Sequence, residues 1–313
     1  MNTPKSIGID FGGTSIKFGV VEGREIIARG ERIRPKDYPK PDQLIAAIAA
    51  KINGFKEEFP DIVAVGVGVP GFVDFPTGTI HNLTNVVGWR KIALKKELEE
   101  LTNLPVAIEN DANAMAIAEW QLGAAKGCDH AICLTLGTGV GGGIISNGAM
   151  VRGAQYVAGE LGQTSIDYKG RKGNYQNPGA LEAYLGNNEF AADTQCDYRE
   201  AGIEKDLADC SPEHIAKAAE AGCEIALKAW EEFAEKLASS LATTCWLLNP
   251  EVIVIGGGVA QAGNLLFKPL IKHLHGQLGE PFKNNLRVLP ADFKNNAGIL
   301  GTAALAIVEY HSE

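Results

Sequence analysis

The 313-residue sequence lacks several features that would place it in other classes of protein. Its six cysteines include no Cys-x-x-Cys pair and no cysteine–histidine spacing typical of a metal site, so we expect reduced thiols. No apolar run reaches the ~18 residues of a membrane span, and the N-terminal segment leaves no room for a signal peptide. These absences predict a cytoplasmic protein that does not associate with membranes.

Positive charge is also scarce, because 29 Lys and Arg stand against 38 Asp and Glu, giving a net charge of −9. That balance argues against a nucleic-acid-binding surface. An anionic nucleotide stays compatible with it if a metal ion and backbone N–H groups supply the positive field. The apolar content of 45% and the charged content of 21% are typical of a globular protein, and the length allows two domains.

Two glycine-rich turns are present, and neither is a P-loop or a Rossmann fingerprint. Gly12-Gly13-Thr14 and Gly137-Thr138-Gly139 each stand between two apolar runs of β type. Such turns bring backbone N–H groups and a threonine hydroxyl close to an anion, so the pair predicts two halves of the chain that hold one polyphosphate. Ordinary β-hairpins would carry the same glycines, and this alternative stays open.

Asp10 directly precedes the first of these turns. A carboxylate beside a phosphate is unfavourable unless a divalent cation lies between them. Mg²⁺ prefers few carboxylates together with water, so we expect Mg²⁺ near Asp10, held partly through water.

Hydrophobic periodicity predicts an α/β protein in which one plan occurs twice. In each half a meander with a glycine turn is followed by strands and helices. We predict two domains with mixed sheets flanked by helices, facing each other across a cleft. Residues 1–111 with 297–313 form the smaller N-terminal domain, and residues 112–296 form the larger one. Strands are expected over 7–10, 16–21, 26–34, 62–69, 106–109, 132–135, 140–145, 251–255 and 287–289, and helices over 41–58, 94–101, 112–122, 212–248, 261–276 and 297–310.

Polar side chains are concentrated where predicted strands end, which is where α/β sheets place ligands. Transfer of a phosphoryl group to a hydroxyl needs a carboxylate that accepts the proton, and Asp111 suits that role. Segment 109–111 could equally be a polar helix N-cap, and the two roles are compatible. Acids and amides suited to bind sugar hydroxyls are Asn85, Asn110, Glu160 and Glu182.

Several motifs, in this order, resemble the ROK family of bacterial sugar kinases and repressors, within the sugar kinase/Hsp70/actin superfamily. They are Asp10–Thr14, 66–71 with Asp74, Asn85 with Trp89, 109–113, 136–143, 158–162, 181–184 and 255–258. The resemblance implies two actin-like (ribonuclease H-like) domains, with Asp111 as the base. It implies sugar contacts from Gly71, Asn85, Asn110, Glu160, Gln163 and Glu182. ATP-binding residues are expected to be Asp10, Gly12, Gly13, Thr14, Lys17, Gly137, Thr138, Gly139, Gly256, Gly257 and Gly258.

The sequence departs from this family at the zinc motif that many members carry. Gly173, Tyr175 and Ala180 occupy the three cysteine positions, and Gln163 occupies the histidine position. Zinc prefers sulfur and nitrogen ligands, so we expect no structural zinc and a loop held by packing around Tyr175 and Pro178. Because the family's histidine also contacts the sugar, Gln163 leaves the sugar preference open. A second departure is Tyr156, where the family usually has glycine.

These observations predict an ATP- and Mg²⁺-dependent hexose kinase, with the 6-hydroxyl of glucose as the first expected acceptor. N-acetylmannosamine, N-acetylglucosamine, fructose and mannose are alternative substrates, and polyphosphate is an alternative donor that the negative net charge disfavours. A sugar-binding sensor without catalysis is the alternative of another class. The first phosphate motif begins at residue 6, so we expect a kinase rather than a DNA-binding repressor. A homodimer is implied by the resemblance alone.

Overall fold

The computed structural model describes residues 4–83, 86 and 88–312, which form two compact units. Unit 1 consists of Met1–Gly127, Met150–Ala158 and Asp292–Glu313, and unit 2 of Cys128–Ala149 and Gly159–Ala291. Each unit is a mixed sheet with helices packed on it, as the sequence predicts. Within the described residues, no helix is both long enough and apolar enough to cross a membrane.

The described elements follow the predicted order closely. The strands are β1 (Lys5–Phe11), β2 (Ile16–Glu22), β3 (Glu25–Arg29), β4 (Ile62–Val69), β5 (Phe72–Asp74), β6 (Thr79–Asn82), β7 (Arg90–Ile92), β8 (Val106–Asn110), β9 (Ala131–Leu136), β10 (Val140–Ser146), β11 (Ala149–Met150), β12 (Val252–Gly256) and β13 (Arg287–Pro290). The helices are α1 (Pro41–Glu58), α2 (Leu94–Thr102), α3 (Asp111–Gln121), α4 (Glu182–Leu185), α5 (Asn187–Glu200), α6 (Pro212–Glu220), α7 (Glu224–Leu248), α8 (Asn264–Gln277), α9 (Glu280–Asn285) and α10 (Ala297–Ser312).

The sheets of the two units share one plan, which confirms the predicted duplication. In unit 1 the order is β3-β2-β1-β4-β8, with antiparallel hairpins on one side and parallel strands on the other. In unit 2 the order is β11-β10-β9-β12-β13, again with a hairpin joined to parallel strands. Because parallel strands end at the same edge, each sheet gathers its glycine turn and its strand-end polar residues on one side.

The side chains of strand β1 alternate between the two faces of its sheet, and helices cover both faces. Ile7, Ile9 and Phe11 are fully buried in a core that α1 and α2 complete. On the other face Gly8 lies against α10, and a Cβ there would overlap the carbonyl oxygen of Ile299. Helix α10 therefore packs on the sheet of unit 1, and glycine in β1 makes that close packing possible.

The boundary of unit 1 differs from the predicted boundary after residue 111, for physical reasons. Helix α3 packs so closely on α10 that a Cβ at Gly301 would overlap the carbonyl oxygen of Ala114. Residues 150–158 join unit 1 because Arg152 forms an ion pair with Glu109. Residues 292–296 join it because Glu119 binds the backbone there.

Three further local predictions were wrong or incomplete. Residues 212–248 are not helical throughout, because α6 ends before Gly222, whose φ of +85° reverses the chain, and α7 begins at Glu224. Helix α5 was not predicted. Neither was the small antiparallel sheet β5-β6-β7, whose strands of three or four residues are too short for periodicity to reveal them.

Candidate active site

The first glycine turn closes the β1–β2 hairpin, as predicted. Phe11 pairs with Ile16 across the hairpin, and the Gly12 N–H donates to the carbonyl oxygen of Ser15 at 3.1 Å. Gly13 and Thr14 form the tip, where Thr14 is exposed to solvent. The turn therefore presents a threonine side chain and backbone amides at the end of a buried strand.

Asp10 lies at the base of this turn, between a cation and a helix N-terminus. The Nζ of Lys17, its cross-strand partner, donates to its Oδ2 at 2.7 Å. A Cβ at Gly298, the second residue of α10, would stand 2.8 Å from the Asp10 Cγ, so only glycine lets the carboxylate approach the helix so closely. The N-terminal end of a helix favours a carboxylate at such a position.

The arrangement fits an Mg²⁺ ion held through water rather than by a cage of side chains. One carboxylate oxygen of Asp10 is occupied by Lys17, which leaves one oxygen to meet a hydrated cation. Mg²⁺ keeps several waters and is commonly bound by one or two carboxylates plus substrate phosphates. Among the residues that the structure describes, no group of three or more His, Cys, Asp or Glu forms a metal cage.

Asn110 caps helix α3, so the capping alternative is correct for this residue. Its Oδ1 accepts from the backbone N–H groups of Ala112 at 2.9 Å and Asn113 at 3.2 Å. Its Nδ2 donates to the carbonyl oxygen of Gly71 at 3.1 Å, which brings two predicted sugar contacts together. Gly71 itself has a φ of +134°, which strongly favours glycine.

Asp111 is the first residue of α3, and its side chain is exposed. Its Oδ1 accepts from the Ala112 N–H at 2.9 Å. The register places it near the first glycine turn, because Gly68 on β4 pairs with Asp10 on one side and with Glu109 on the other. Two strand spacings, about 10 Å, therefore separate the backbones of Asp10 and Glu109.

A buried carboxylate, to which sequence analysis gave no separate role, supports this segment. Glu109 is 2% exposed, and its Oε1 accepts from the backbone of Asn110 and from the side chain of Asn113. Its Oε2 pairs with the Nε of Arg152 at 2.9 Å, and the Arg152 guanidinium lies 3.6 Å from the ring centre of Phe75. The charged residue at the end of an apolar strand was the signal in the sequence that Glu109 has a special role. Nothing in the sequence identified Arg152, 43 residues away, as its partner.

Asn85, a predicted sugar contact, lies outside the described residues. Trp89, from the same motif, is 1% exposed and packs edge-on against Phe11 with ring centroids 4.9 Å apart. This tryptophan therefore belongs to the core of unit 1.

The second glycine turn closes the β9–β10 hairpin, also as predicted. Leu136 pairs with Val140, and the Gly137 N–H donates to the Gly139 carbonyl oxygen at 3.0 Å, with Thr138 exposed at the tip. This turn contacts Glu182, a predicted sugar contact 43 residues further along the chain.

Glu182 joins three parts of unit 2. Its Oε2 accepts from the Val140 N–H at 2.9 Å, and a Cβ at Gly139 would overlap it. Its Oε1 accepts from the Nε2 of Gln163 at 3.3 Å and from the Nδ2 of Asn174 at 2.8 Å. The structure thus brings together Gln163 and Glu182, two of the residues predicted to contact the sugar, and adds Asn174, to which sequence analysis gave no role.

Glu160 lies near this group, and its pKa is raised above the ordinary value of 4.5. Burial is the larger cause, and the charge of Glu182 adds to it. A carboxylate that is partly withdrawn from water is a strong acceptor for the hydroxyl groups of a ligand.

We expect the raised pKa of Glu160 to make unfolding free energy depend on pH. The folded protein binds this proton more tightly than the unfolded chain, so stability falls as pH rises above 4.5 and Glu160 ionises. Glu160→Gln cannot ionise, so its stability relative to the wild type should rise between pH 5 and 7.5. Urea unfolding at several pH values measures this. Glu204→Gln, at an exposed site in the same unit, should show no such trend, and a trend shared by both variants would contradict the assignment.

We predicted that packing around Tyr175 and Pro178 holds the loop at the zinc-motif positions. The structure shows hydrogen bonds in that role instead. Tyr175 is 62% exposed. The Asn177 Nδ2 donates to the backbone oxygen of Gln163 at 2.7 Å, and the Asn177 carbonyl accepts from the Gly173 N–H at 2.8 Å. Gly179 has a φ of +70° and lies against the carbonyl oxygen of Asp167. Amides and a glycine therefore shape the loop.

The glycine run after β12 lies beside the second turn. Gly256 pairs with Thr135, and Gly257, with a φ of +87°, approaches the backbone of Leu136 so closely that a Cβ would overlap its carbonyl oxygen. Gly258 follows and lines a cavity of about 510 Å³. The three glycines thus bring the end of β12 next to the turn that follows β9.

That cavity lies wholly within unit 2 and has a polar wall that sequence analysis missed. Asn187 ties it to the second turn, since its N–H donates to the Gly137 carbonyl at 3.0 Å. Among the described residues, nothing bonds to the buried Oδ1 of Asn187 or to the buried Nε1 of Trp230. The cavity is also lined by Ser211, Glu213, Lys217 and Gln261.

Comparison with known proteins gives matches over nearly the whole chain. Residues 6–309 match the model of the ROK family. The glucokinase of Halalkalibacterium halodurans is 34% identical over 94% of this chain and 92% of its own. A solved ROK family glucokinase from Streptomyces griseus, in complex with glucose and AMPPNP, is 32% identical with a TM-score of 0.80, covering 97% of this chain and 99% of its own. The ROK hexokinase of Thermus thermophilus is 29% identical with a TM-score of 0.85, over 99% and 100%.

Proposed function

Since this chain belongs to the ROK family, we propose that it is an ATP-dependent kinase that phosphorylates the 6-hydroxyl of glucose. The observation that carries the proposal is the cavity beside the second glycine turn, in a chain that also keeps an exposed Asp111 at a strand end. A sugar sensor needs neither a nucleotide-sized cavity nor a base. The relatives that are glucokinases support glucose as the acceptor.

In the proposed mechanism Asp111 accepts the proton of the attacking hydroxyl. Its position at the first residue of α3 is fixed by the Asn110 cap and, behind it, by the Glu109–Arg152 pair. A base held in place in this way loses little freedom when the hydroxyl arrives. Mg²⁺, when bound near Asp10, would offset the charge of the phosphates.

The two glycine turns are assigned to the phosphates, and the cavity is assigned to the adenosine. Backbone N–H groups at Gly13 and Gly139, with the hydroxyls of Thr14 and Thr138, are the proposed donors. The N–H groups of Gly12 and Gly137 shape the two turns by donating to Ser15 and Gly139. Lys17 orients Asp10 through their ion pair. The buried Oδ1 of Asn187 offers an acceptor to a nucleoside donor group in the cavity beside Gly256, Gly257 and Gly258.

Sugar hydroxyls are assigned to acids and amides. The proposed contacts are Gly71, Asn85, Asn110, Glu160, Gln163 and Glu182. Each hydroxyl of a hexose can donate and accept a hydrogen bond. A carboxylate accepts from such hydroxyls, and an amide both donates and accepts, so together these side chains can match them. A homodimer, a cytoplasmic location and the absence of a nucleic-acid partner complete the proposal.

The test is ADP release with Mg-ATP over a panel of glucose, mannose, fructose, N-acetylglucosamine and N-acetylmannosamine. We expect the highest kcat/KM with glucose. A different preferred sugar would correct the substrate and leave the reaction in place. Sugar binding by calorimetry without ADP formation from any sugar would instead favour the sensor, and polyphosphate replaces ATP in a parallel assay. Light scattering measures the oligomeric state.

A further inference from the structure

The carboxylate of Glu182 is held by neutral donors. Three hydrogen bonds reach it, from the Val140 N–H, the Gln163 side chain and the Asn174 side chain. Among the described residues, no Lys, Arg or His forms an ion pair with it, and the nearby Arg171 pairs with Asp193 instead. A carboxylate has about four lone-pair positions, so at least one position remains for a hydroxyl of a ligand.

Asn174 makes the shorter of the two side-chain hydrogen bonds to Glu182. Its Nδ2 lies 2.8 Å from Oε1, whereas the Gln163 Nε2 lies 3.3 Å away. Bonds to an ionised acceptor are roughly twice as strong as neutral ones, and strength falls with length. Asn174 is therefore the principal side-chain restraint on the rotamer of Glu182.

The loop that presents Asn174 holds its shape through other residues. Lys172 pairs with Pro178, the Gly173 N–H donates to Asn177, and the Gln176 N–H donates to Gly173 at 2.9 Å. None of these bonds uses the Asn174 side chain. Its removal should leave the loop intact, which makes its contribution to Glu182 measurable.

We propose that Asn174 is a positioning residue that fixes the Glu182 carboxylate for the acceptor sugar, so that an amide on this loop sets sugar affinity. The inference rests on the proposed function, in which Glu182 contacts a sugar hydroxyl. Held at Oε1 by Asn174, the carboxylate keeps Oε2 on the Val140 N–H beside the second glycine turn. Without Asn174 only the Val140 N–H and the longer bond from Gln163 restrain the carboxylate, so its Oε1 is held less firmly for the sugar.

The first test is Asn174→Ala, assayed with glucose and Mg-ATP. We expect KM for glucose to rise about 5- to 30-fold, because the variant loses a charge-assisted hydrogen bond that Gln163 does not replace. The kcat should stay within threefold of the wild type. The matched control is Asn188→Ala. Asn188 lines the same small pocket as Asn174 and Glu182, and it makes no bond to Glu182 in the described structure. Its substitution therefore removes the same side-chain amide without touching the carboxylate. Its KM should stay within twofold of the wild type.

The second test is Asn174→Asp, which separates positioning from a general structural role. When ionised, the introduced carboxyl group cannot donate to Glu182 and repels it, so KM at pH 8 should exceed that of Asn174→Ala. When protonated it donates again, so KM relative to the wild type should recover towards pH 5.5, whereas Asn174→Ala should show no recovery. Charged or titratable groups around this position are Glu160, Arg171, Lys172, Tyr175, Glu182 and Glu189.

The outcomes separate this inference from the proposed function. A KM within twofold of the wild type for Asn174→Ala, or no greater recovery at low pH for Asn174→Asp, would overturn the positioning role while the kinase stands. If the wild type phosphorylates no sugar of the panel, the proposed function fails, and the glucose Kd from calorimetry with the same variants still decides the role of Asn174. A wild-type protein that binds none of these sugars would overturn both.

Discussion

Asp111→Asn is expected to lower kcat for glucose by about 10²- to 10⁴-fold, the usual contribution of a general base. The amide cannot accept the proton of the hydroxyl, but it keeps the size and the polarity of the side chain. Because Asp111 is exposed and the cap of α3 is Asn110, the fold should not change. Stopped-flow or coupled measurement of ADP formation gives kcat directly.

The binding of the sugar provides the internal check on this result. The glucose Kd of Asp111→Asn, from calorimetry, should stay within tenfold of the wild type, since the acids and amides assigned to the hydroxyls remain. Asp37→Asn, an exposed substitution of the same kind in unit 1, should leave both kcat and Kd unchanged. Near-native turnover by Asp111→Asn would show that another group accepts the proton.

Glu119→Ala is expected to cost about 3–6 kcal/mol of unfolding free energy, the largest stability effect that we predict. Glu119 is fully buried, and its two oxygens accept from the backbone N–H groups of Ala124, Asp292 and Phe293 at 3.0–3.1 Å. The truncation leaves three partly buried backbone donors without an acceptor. It also releases the segment that leads into α10. Urea unfolding measures the loss.

Two companion substitutions make the stability result specific. Glu119→Gln keeps the volume and one acceptor oxygen, so it should lose less than Glu119→Ala, about 1–3 kcal/mol. Glu100→Ala changes an exposed glutamate on α2 that pairs with exposed Lys96, and it should stay within about 0.5 kcal/mol of the wild type. Equal, small losses for Glu119→Ala and Glu100→Ala would show that the three backbone donors find water instead.

Local patterns predicted the parts of the fold that local forces decide. Helix α1 was predicted at its observed bounds because Leu44, Ile48 and Ile52 repeat at helical spacing and are buried together. Strand β4 was predicted at its observed bounds because an unbroken run of isoleucine, valine, alanine and glycine fits a strand covered on both faces. Both glycine turns close hairpins because glycine and threonine interrupt two such runs.

Long-range contacts were not predictable in the same way. Nothing in the sequence near Glu109 indicates that it pairs with Arg152, and nothing near Val140 indicates that Glu182 accepts from its N–H. Such pairs depend on how distant elements meet, which periodicity does not record. The polar wall of the cavity in unit 2 was not predicted for the same reason, since Asn187, Lys217 and Gln261 come from separate elements.

The packing of α10 on β1 has a consequence for the synthesis of the chain. The first segment of unit 1 ends at Gly127, whereas its last segment begins at Asp292. At about 5–20 residues per second, a ribosome needs roughly 10–30 s to make the intervening stretch. Throughout that time the face of the sheet around Gly8 lacks its helix. The nascent N-terminal sheet therefore emerges early, and its folding is completed only when the final helix leaves the ribosome.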